Sequence, residues 1–480
     1  MGPVRPPEVV YGPPGCGKTT YLLEQMAELK RSGLKADEIG FVAFTKAAAA
    51  EALSRLGVTR SKTVRTLHSL CYEIAGVSRE QVVDDDKLVE FSELIGYPLT
   101  GRTLMSEGQR TLGDELMEFH TYSRALDIPV IEAWERTQPD LDPALCEMFS
   151  ETYSDWKAAF GYVDFNDMLD IASRMSLDIG VKHLFVDEGQ DLSPLQWRVV
   201  RGLLGHVGSS TVAGDDDQAI YTWAGADAHG MASLGGDGHV LSQSHRVPRS
   251  AHALAGEVIH RVNRRVPKKY APRKENGQVV LAHGLQYVDA PTEDTLVLYR
   301  NHSSRAEAEA WLIENRVPYT MLGAVVRSAF EDRYANAVRA FLTLKAGNEV
   351  SRNQVAVLQK VARSEWRQDI GSGQFRALLS RPWEDVLDIP WDRMRYLASV
   401  DLFKRPLVRM STIHSAKGME ADSVLLMNEM GERTQEGMGD DEHRVWYVAL
   451  TRTRKSLTIV SGDCPYDIPW GAHEVVGSEV

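Results

Sequence analysis

Residues 12–19, Gly-Pro-Pro-Gly-Cys-Gly-Lys-Thr, constrain this chain more than any other stretch. They fit the pattern G-x-x-x-x-G-K-[ST], with the β-prone Val9-Val10-Tyr11 before them and apolar residues at helical spacing from Thr20 to Leu29 after them. Strand, glycine loop and helix in that order make a cradle for a polyphosphate. The glycines let backbone N–H groups wrap the anion, and the helix N-terminus adds partial positive charge. Lys18 is then expected to reach the β- and γ-phosphates, and Thr19 to hold Mg²⁺. A chance glycine turn is the bland alternative, and the strand and helix around the loop count against it.

A second anchor is Val181 to Val186, an apolar strand that ends in Asp187-Glu188. In an open parallel sheet, ligands sit at the carboxyl ends of strands. Asp187 there is suited to Mg²⁺, and Glu188 to orienting and deprotonating an attacking water. A third strand runs into Gly214-Asp215-Asp216-Asp217-Gln218, where the Gln218 amide is placed to sense a γ-phosphate. Tyr221 and Trp223 follow a few residues on. They are read either as ordinary core aromatics or as a platform on which single-stranded bases stack.

The length of 480 residues exceeds one ordinary core, so roughly two to four domains are expected. With 43% hydrophobic and 25% charged residues, the composition is globular rather than disordered. No apolar run is long enough for a membrane span, and the N-terminus lacks an apolar signal core. Cys16, Cys71, Cys146 and Cys464 have no metal-ligand spacing, which points to a reducing, cytoplasmic setting. The net charge of −13 does not exclude nucleic acid, because a strand-tracking groove is a local feature. One basic run, Arg261 to Lys274, contains no acidic residue. It is either a solvated helix face followed by a loop or a contact to a DNA backbone.

Further elements follow the α/β pattern. Residues 38–45 read as a strand, Lys46 to Leu56 as an alanine-rich helix, and Val64 to Ser69 as a strand passing into a loop. Residues 76–160 read as a helical insertion whose acidic stretches form a solvated surface.

Taken with Phe44 to Ala48, Thr66 to Ser69, Gln243 to Arg246, Val297 to Arg300, Thr412 to Glu420 and Tyr447 to Arg452, these blocks resemble superfamily 1 DNA helicases of the UvrD/Rep/PcrA type. The blocks run in the family's order from residue 12 to 454. The resemblance implies two tandem RecA-like domains with parallel sheets and a nucleotide in the cleft between them. The first domain would comprise 1–75 and 161–239, with the helical insertion at 76–160. The second would comprise 240–346 and 406–480, with a reduced insertion at 347–405. Its strands are expected at Gln278 to Leu281, Thr295 to Tyr299, Val408 to Ile413, Ser423 to Met427 and Leu457 to Val460.

By motif position the resemblance assigns ATP to Gly12, Gly15, Gly17, Lys18, Thr19 and Thr20, with Glu420 near the sugar and His245 stacking on the base. Arg246 and Arg452 would neutralise charge in the transition state beside Lys18, Asp187, Glu188 and Gln218. Single-stranded DNA would meet Phe44, His68, Tyr221, Trp223 and His414, with Lys417 linking cleft and strand. The implied activity is a DNA-stimulated ATPase, a monomer that moves 3′→5′ on single strands and at single-/double-strand junctions, in repair or replication. A translocase that clears proteins without efficient unwinding uses the same residues, and a nucleotide-gated binding switch is the alternative from another class. A fused nuclease would need a further acidic cluster with a trailing lysine, which the chain does not offer.

Three departures from the family carry expectations. The loop begins eleven residues after Met1, which leaves no room for the upstream glutamine motif that reads adenine, so looser nucleotide choice is expected. Ala224 stands where an arginine usually follows the tryptophan, and Gly189 stands where a bulky aromatic is common.

Overall fold

The computed structural model describes residues 6–101, 110–235, 238–323, 327–431, 434, 439–461, 466 and 468, and the backbone of 474–476. Two compact units are present. The first comprises 1–247, 258–273 and 438–447, and the second comprises 248–257, 274–437 and 448–480.

In the first unit six strands form one parallel sheet: β1 (Glu8–Tyr11), β2 (Ile39–Ala43), β3 (Val64–Thr66), β4 (His183–Val186), β5 (Ser209–Gly214) and β6 (Gly238–Val240). Their order is β3-β2-β4-β5-β1-β6. A strand buried on both faces reads as a continuous apolar run, and its alternate residues point into opposite layers. Val10, Phe41, Phe185 and Ala213 pack with Leu22, Leu23, Met26 and Ala52. Val9, Val42, Leu184, Val186 and Val212 pack with Leu70, Met168, Leu169, Trp197 and Val200. The helices of both layers start where the local chemistry directs. Helix Lys18–Arg31 begins after Gly17 in left-handed backbone (φ 77°), and helix Lys46–Leu56 is capped by Thr45 Oγ1 accepting from Ala48 N. Helix Pro194–Leu204 opens with proline behind a Ser193/Gln196 capping box.

The stretch expected to pass from strand to loop at 64–69 is instead a strand running directly into helix Leu67–Ile74. Thr66 is the reason, because its hydroxyl accepts from Ser69 N and satisfies one of the helix's unpaired donors. His68 therefore sits in the first turn of a helix. Within 76–160 four α-helices are described, with a core of their own around Phe91, Leu116, Phe119, Phe149, Tyr153 and Trp156.

The second unit holds seven parallel strands: β7 (Gln278–Ala282), β8 (Thr295–Tyr299), β9 (Tyr319–Leu322), β10 (Val408–Thr412), β11 (Ala421–Asn428), β12 (Thr453–Ser461) and β13 (Glu474–Val476). They are ordered β13-β7-β12-β11-β8-β10-β9. Short helices between Arg352 and Ser399 contribute Leu358, Ile370, Leu378, Tyr396 and Leu397 to the same core as Val297, Tyr299 and Met410 of the sheet. Cys16, Cys71 and Cys146 are free and buried, and Cys464 lies outside the described residues. No described helix is long and apolar enough to cross a membrane.

Candidate nucleotide and nucleic-acid site

In the first sheet β1, β4 and β5 are adjacent, with Tyr11 beside Gly214 and Val186 beside Val212. Parallel pairing therefore brings the loop after β1, the acid pair after β4 and the Asp215–Gln218 turn after β5 to one edge. The loop closes back on β5 through Gly12 N donating to Gly214 O at 3.0 Å. Lys18 folds over the loop and donates to Gly12 O at 3.0 Å, with Nζ 4.0 Å from Glu188 Oε1. Gly12 has to be glycine, since a Cβ there would lie 1.8 Å from Lys18 Cγ.

Thr19 Oγ1 donates to Asp187 Oδ2 at 2.8 Å. Asp187 is buried, and its carboxyl pKa is pushed up to about 7, by burial first and then by the Glu188 charge; Lys18 and Thr19 pull it the other way. A carboxylate and a hydroxyl held together in a buried, electronegative position fit a divalent cation, whose charge would reverse that shift. Among the described residues no group of three His, Cys, Asp or Glu side chains is arranged to hold a metal ion, so the remaining ligands of Mg²⁺ would be phosphate oxygens and water. Glu188 has φ 55° and ψ 43°, a left-handed conformation that a non-glycine residue holds at a cost of about 1–2 kcal/mol. Strain of that kind concentrates at functional positions.

Gln190 joins the acid pair to the next turn. Its Nε2 donates to Glu188 Oε2, and its Oε1 accepts from Asp215 N at 2.9 Å. Gln218, also buried, donates from Nε2 to Asp215 Oδ2 at 2.6 Å. On the far side of the loop, Ser244 Oγ donates to Pro14 O at 2.7 Å and His245 N to Gly15 O at 2.9 Å. Arg246 is thereby set against Gly15, where a Cβ would meet its own Cβ at 2.4 Å. His245 and Thr20 are exposed.

A cavity of about 570 Å³ lies along the same edge, lined by Phe44, His68, Phe165, Tyr221 and Trp223 together with Asn166, Asp191, Ser193 and Gln196. Phe44 and Tyr221 stack with centroids 6.0 Å apart and planes 22° apart, and Phe44 is 41% exposed. His68 meets the edge of Phe165 at 5.7 Å, and burial pushes its imidazole pKa down, so it presents a neutral ring. An aromatic and polar lining of this kind suits bases more than phosphates.

In the second unit Arg452 is buried. Its Nε donates to Val448 O at 2.8 Å, Nη1 to Met419 O at 3.3 Å and Nη2 to Thr451 Oγ1 at 3.2 Å. Glu420 pairs with Arg454 at 3.1 Å. His414 is buried, and Lys417, half-buried, donates its N–H to His414 O at 3.1 Å.

Two family models match the chain: the UvrD/REP helicase N-terminal domain over residues 2–238 and the UvrD-like helicase C-terminal domain over 396–462. The chain belongs to the UvrD/Rep helicase family. It is 26% identical over 377 residues to the ATP-dependent DNA helicase Rep of Escherichia coli, covering 67% of this chain and 54% of Rep. The ATP-dependent DNA helicase PcrA of Leuconostoc citreum is 25% identical over 396 residues, covering 70% of this chain and 50% of PcrA. The ATP-dependent DNA helicase UvrD2 of Mycobacterium bovis is 24% identical over 546 residues, covering 95% of this chain and 76% of UvrD2. The chain thus spans about half the length of Rep and PcrA. Parallel sheets flanked by helices in both units agree with the α/β, RecA-like architecture of the family.

Other residues enter the site without a role assigned from sequence. Gln190 lies two residues after the acid pair and shows its part only as a bridge between two turns. Phe165, 61% exposed at the start of helix Phe165–Ser173, left one signal: an aromatic between the Asp164 cap and Asp167, where an outward-facing polar residue is usual. The basic run at 261–274 needs correction. The preceding helix ends at Ile259, so the run is not a helix face. Arg265 forks onto Asp217 at 2.7 and 2.6 Å. The Lys268 side chain, 1% exposed, reaches Asp215 and Asp217 at 3.1 Å each and also bonds Asp216. Burial alone would lower the Lys268 pKa; three carboxylates outweigh it and raise the pKa. These two basic residues are internal counter-charges. Gly189 is explained by packing, since a Cβ there would lie 2.9 Å from Met231 Cγ.

Proposed function

We propose that this chain is an ATP-dependent motor on single-stranded DNA, a helicase or translocase that moves 3′→5′ and engages junctions as a monomer. One observation carries the reading. A single short stretch, 215–223, holds Gln218 on Asp215, next in sequence to the Gly214 carbonyl that the phosphate loop bonds, and Tyr221 and Trp223 in the lining of the aromatic cavity. A change in the phosphates that moves Gln218 therefore has only a few residues to travel to reach bound bases. The match to helicases named for ATP and DNA supports both ligands.

In this reading the loop glycines 12, 15 and 17 and Lys18 bind the phosphates, with Thr20 at the helix start, and Thr19 and Asp187 hold Mg²⁺. Magnesium would supply charge neutralisation on the phosphates. Glu188, held near Lys18 and Gln190, takes a proton from the attacking water, and Gln218 orients around the γ-phosphate. Arg246 and Arg452 are assigned to offsetting transition-state charge, Glu420 to the sugar and His245 to the base. Phe44, His68, Tyr221 and Trp223 stack bases, and His414 and Lys417 contact the strand. The test is unwinding of duplexes with single 3′ or 5′ tails. Unwinding of the 3′-tailed duplex at saturating ATP is expected, and a preference for the 5′ tail would refute the polarity.

A further inference from the structure

Thr222 lies between the two aromatic residues of the platform, yet its side chain does not line the cavity. Its hydroxyl donates to Asp441 Oδ2 at 2.8 Å. Asp441 Oδ1 accepts from Arg444 Nη1 at 2.9 Å, and Arg444 Nη2 donates to the Arg264 carbonyl at 2.7 Å. One residue earlier, Asp440 accepts the backbone N–H groups of Asn263 and Arg264, each at 3.0 Å. Tyr447 is buried, with its hydroxyl 3.1 Å from that of Tyr270. Residues 440, 444 and 447 recur at helical spacing, so one face of helix Asp440–Leu450 is fastened along two turns. Thr222, Asp441, Arg444 and residues 263–270 all belong to the first unit. The segment they hold is also the one whose Arg265 and Lys268 grip Asp215–Asp217 next to Gln218.

The helix leads straight into Arg452, whose N–H donates to Ala449 O at 3.2 Å. Ala224 has no polar side chain to make such a connection from the platform. We propose that Asp441, held by Thr222 and Arg444, is a positioning residue that links occupancy of the aromatic platform to the helix ending near Arg452. The proposal rests on the motor reading above. It makes Thr222 a coupling residue whose loss leaves both ligand sites intact.

The experiment measures steady-state ATP hydrolysis with and without saturating oligo-dT, and oligo-dT affinity without nucleotide. The proteins are the wild type, Thr222→Val, Thr222→Ser, Asp441→Ala and the Thr222→Val/Asp441→Ala double variant. Thr222→Val swaps a hydroxyl for a methyl and should lower the DNA-stimulated kcat by about fivefold or more, the lower end of site-to-site coupling. Its basal rate and its oligo-dT affinity should stay within about twofold, inside the ordinary effect of an exposed substitution. Thr222→Ser keeps the hydroxyl and should keep the stimulation. The double variant should be no worse than Asp441→Ala, because both substitutions break one interaction. Full stimulation in Thr222→Val, equal losses in the valine and serine variants, or additive losses in the double variant would each overturn the proposal. A wild type that oligo-dT does not stimulate would instead overturn the motor reading on which it rests.

Discussion

Replacing Lys268 with methionine is the sharpest test of how the Gln218 turn is held. The ammonium lies within 3.1 Å of Asp215 and Asp217, bonds Asp216 as well, and has 1% of its side chain exposed. Methionine fills similar volume but leaves three buried carboxylates with incomplete compensation. Asp217 keeps Arg265, Asp216 keeps Val266 N at 2.7 Å, and Asp215 keeps the Gln218 amide. Removing one partner from a buried charge cluster costs about 3–5 kcal/mol. At roughly 2–4 °C per kcal/mol for a domain of this size, the first unit's transition should fall by roughly 6–20 °C. Scanning calorimetry is the assay. Adding Asp216→Asn removes one stranded charge while keeping an acceptor for Val266 N, and should recover part of the loss. A fall below about 2 °C, or no recovery in the double variant, would mean that solvent or neighbouring groups already screen the cluster, and the reasoning would be wrong.

Other outcomes follow from the same geometry. Glu188→Gln should lower kcat for ATP about 10²- to 10⁴-fold with far less change in KM, as loss of a general base does; steady-state kinetics would show it, and an unchanged kcat would count against Glu188 as the base. Trp223→Ala and Phe165→Ala should each weaken binding of a single-stranded oligonucleotide about 5- to 150-fold, the value of one stacked base. Fluorescence anisotropy would measure it, and wild-type affinity in both would remove the cavity from the DNA path. His183 has its imidazole pKa pushed down to about 4, by burial first, with Glu8 opposing. The folded protein therefore keeps this ring neutral while the unfolded chain protonates it near 6.5. Its stabilising contribution is complete above that pH and is lost as pH falls toward 4. Urea midpoints at pH 7 and pH 5 should differ less in His183→Gln than in the wild type.

Much of the fold was legible because the strongest signals are local. Val9 to Thr19 carries its strand, its left-handed glycines and its helix start within one short stretch, and the apolar strands β8 and β11 fall where the resemblance implied strands at 295–299 and 423–427. Short edge strands left little trace. Gly238–Val240 is three residues long, and Tyr319–Leu322 follows a proline and is only partly buried. Helix Leu67–Ile74 escaped because its cap, Thr66, is also the last residue of a strand. At the site, residue types at motif positions named most of the nucleotide set, but partners distant in sequence could not be read. Nothing local distinguishes Lys268 from Lys269, yet only the first meets a carboxylate cluster some fifty residues earlier. Likewise Thr222 is an ordinary threonine until Asp441, 219 residues away, lies 2.8 Å from it.

The central claim is that nucleotide hydrolysis and single-stranded DNA are coupled through this chain. Steady-state ATP hydrolysis with and without single-stranded DNA, with Lys18→Ala as the blank, tests it most directly. Strong stimulation by DNA that disappears in the variant is the predicted result. Hydrolysis that is indifferent to DNA, or no hydrolysis under either condition, would contradict it.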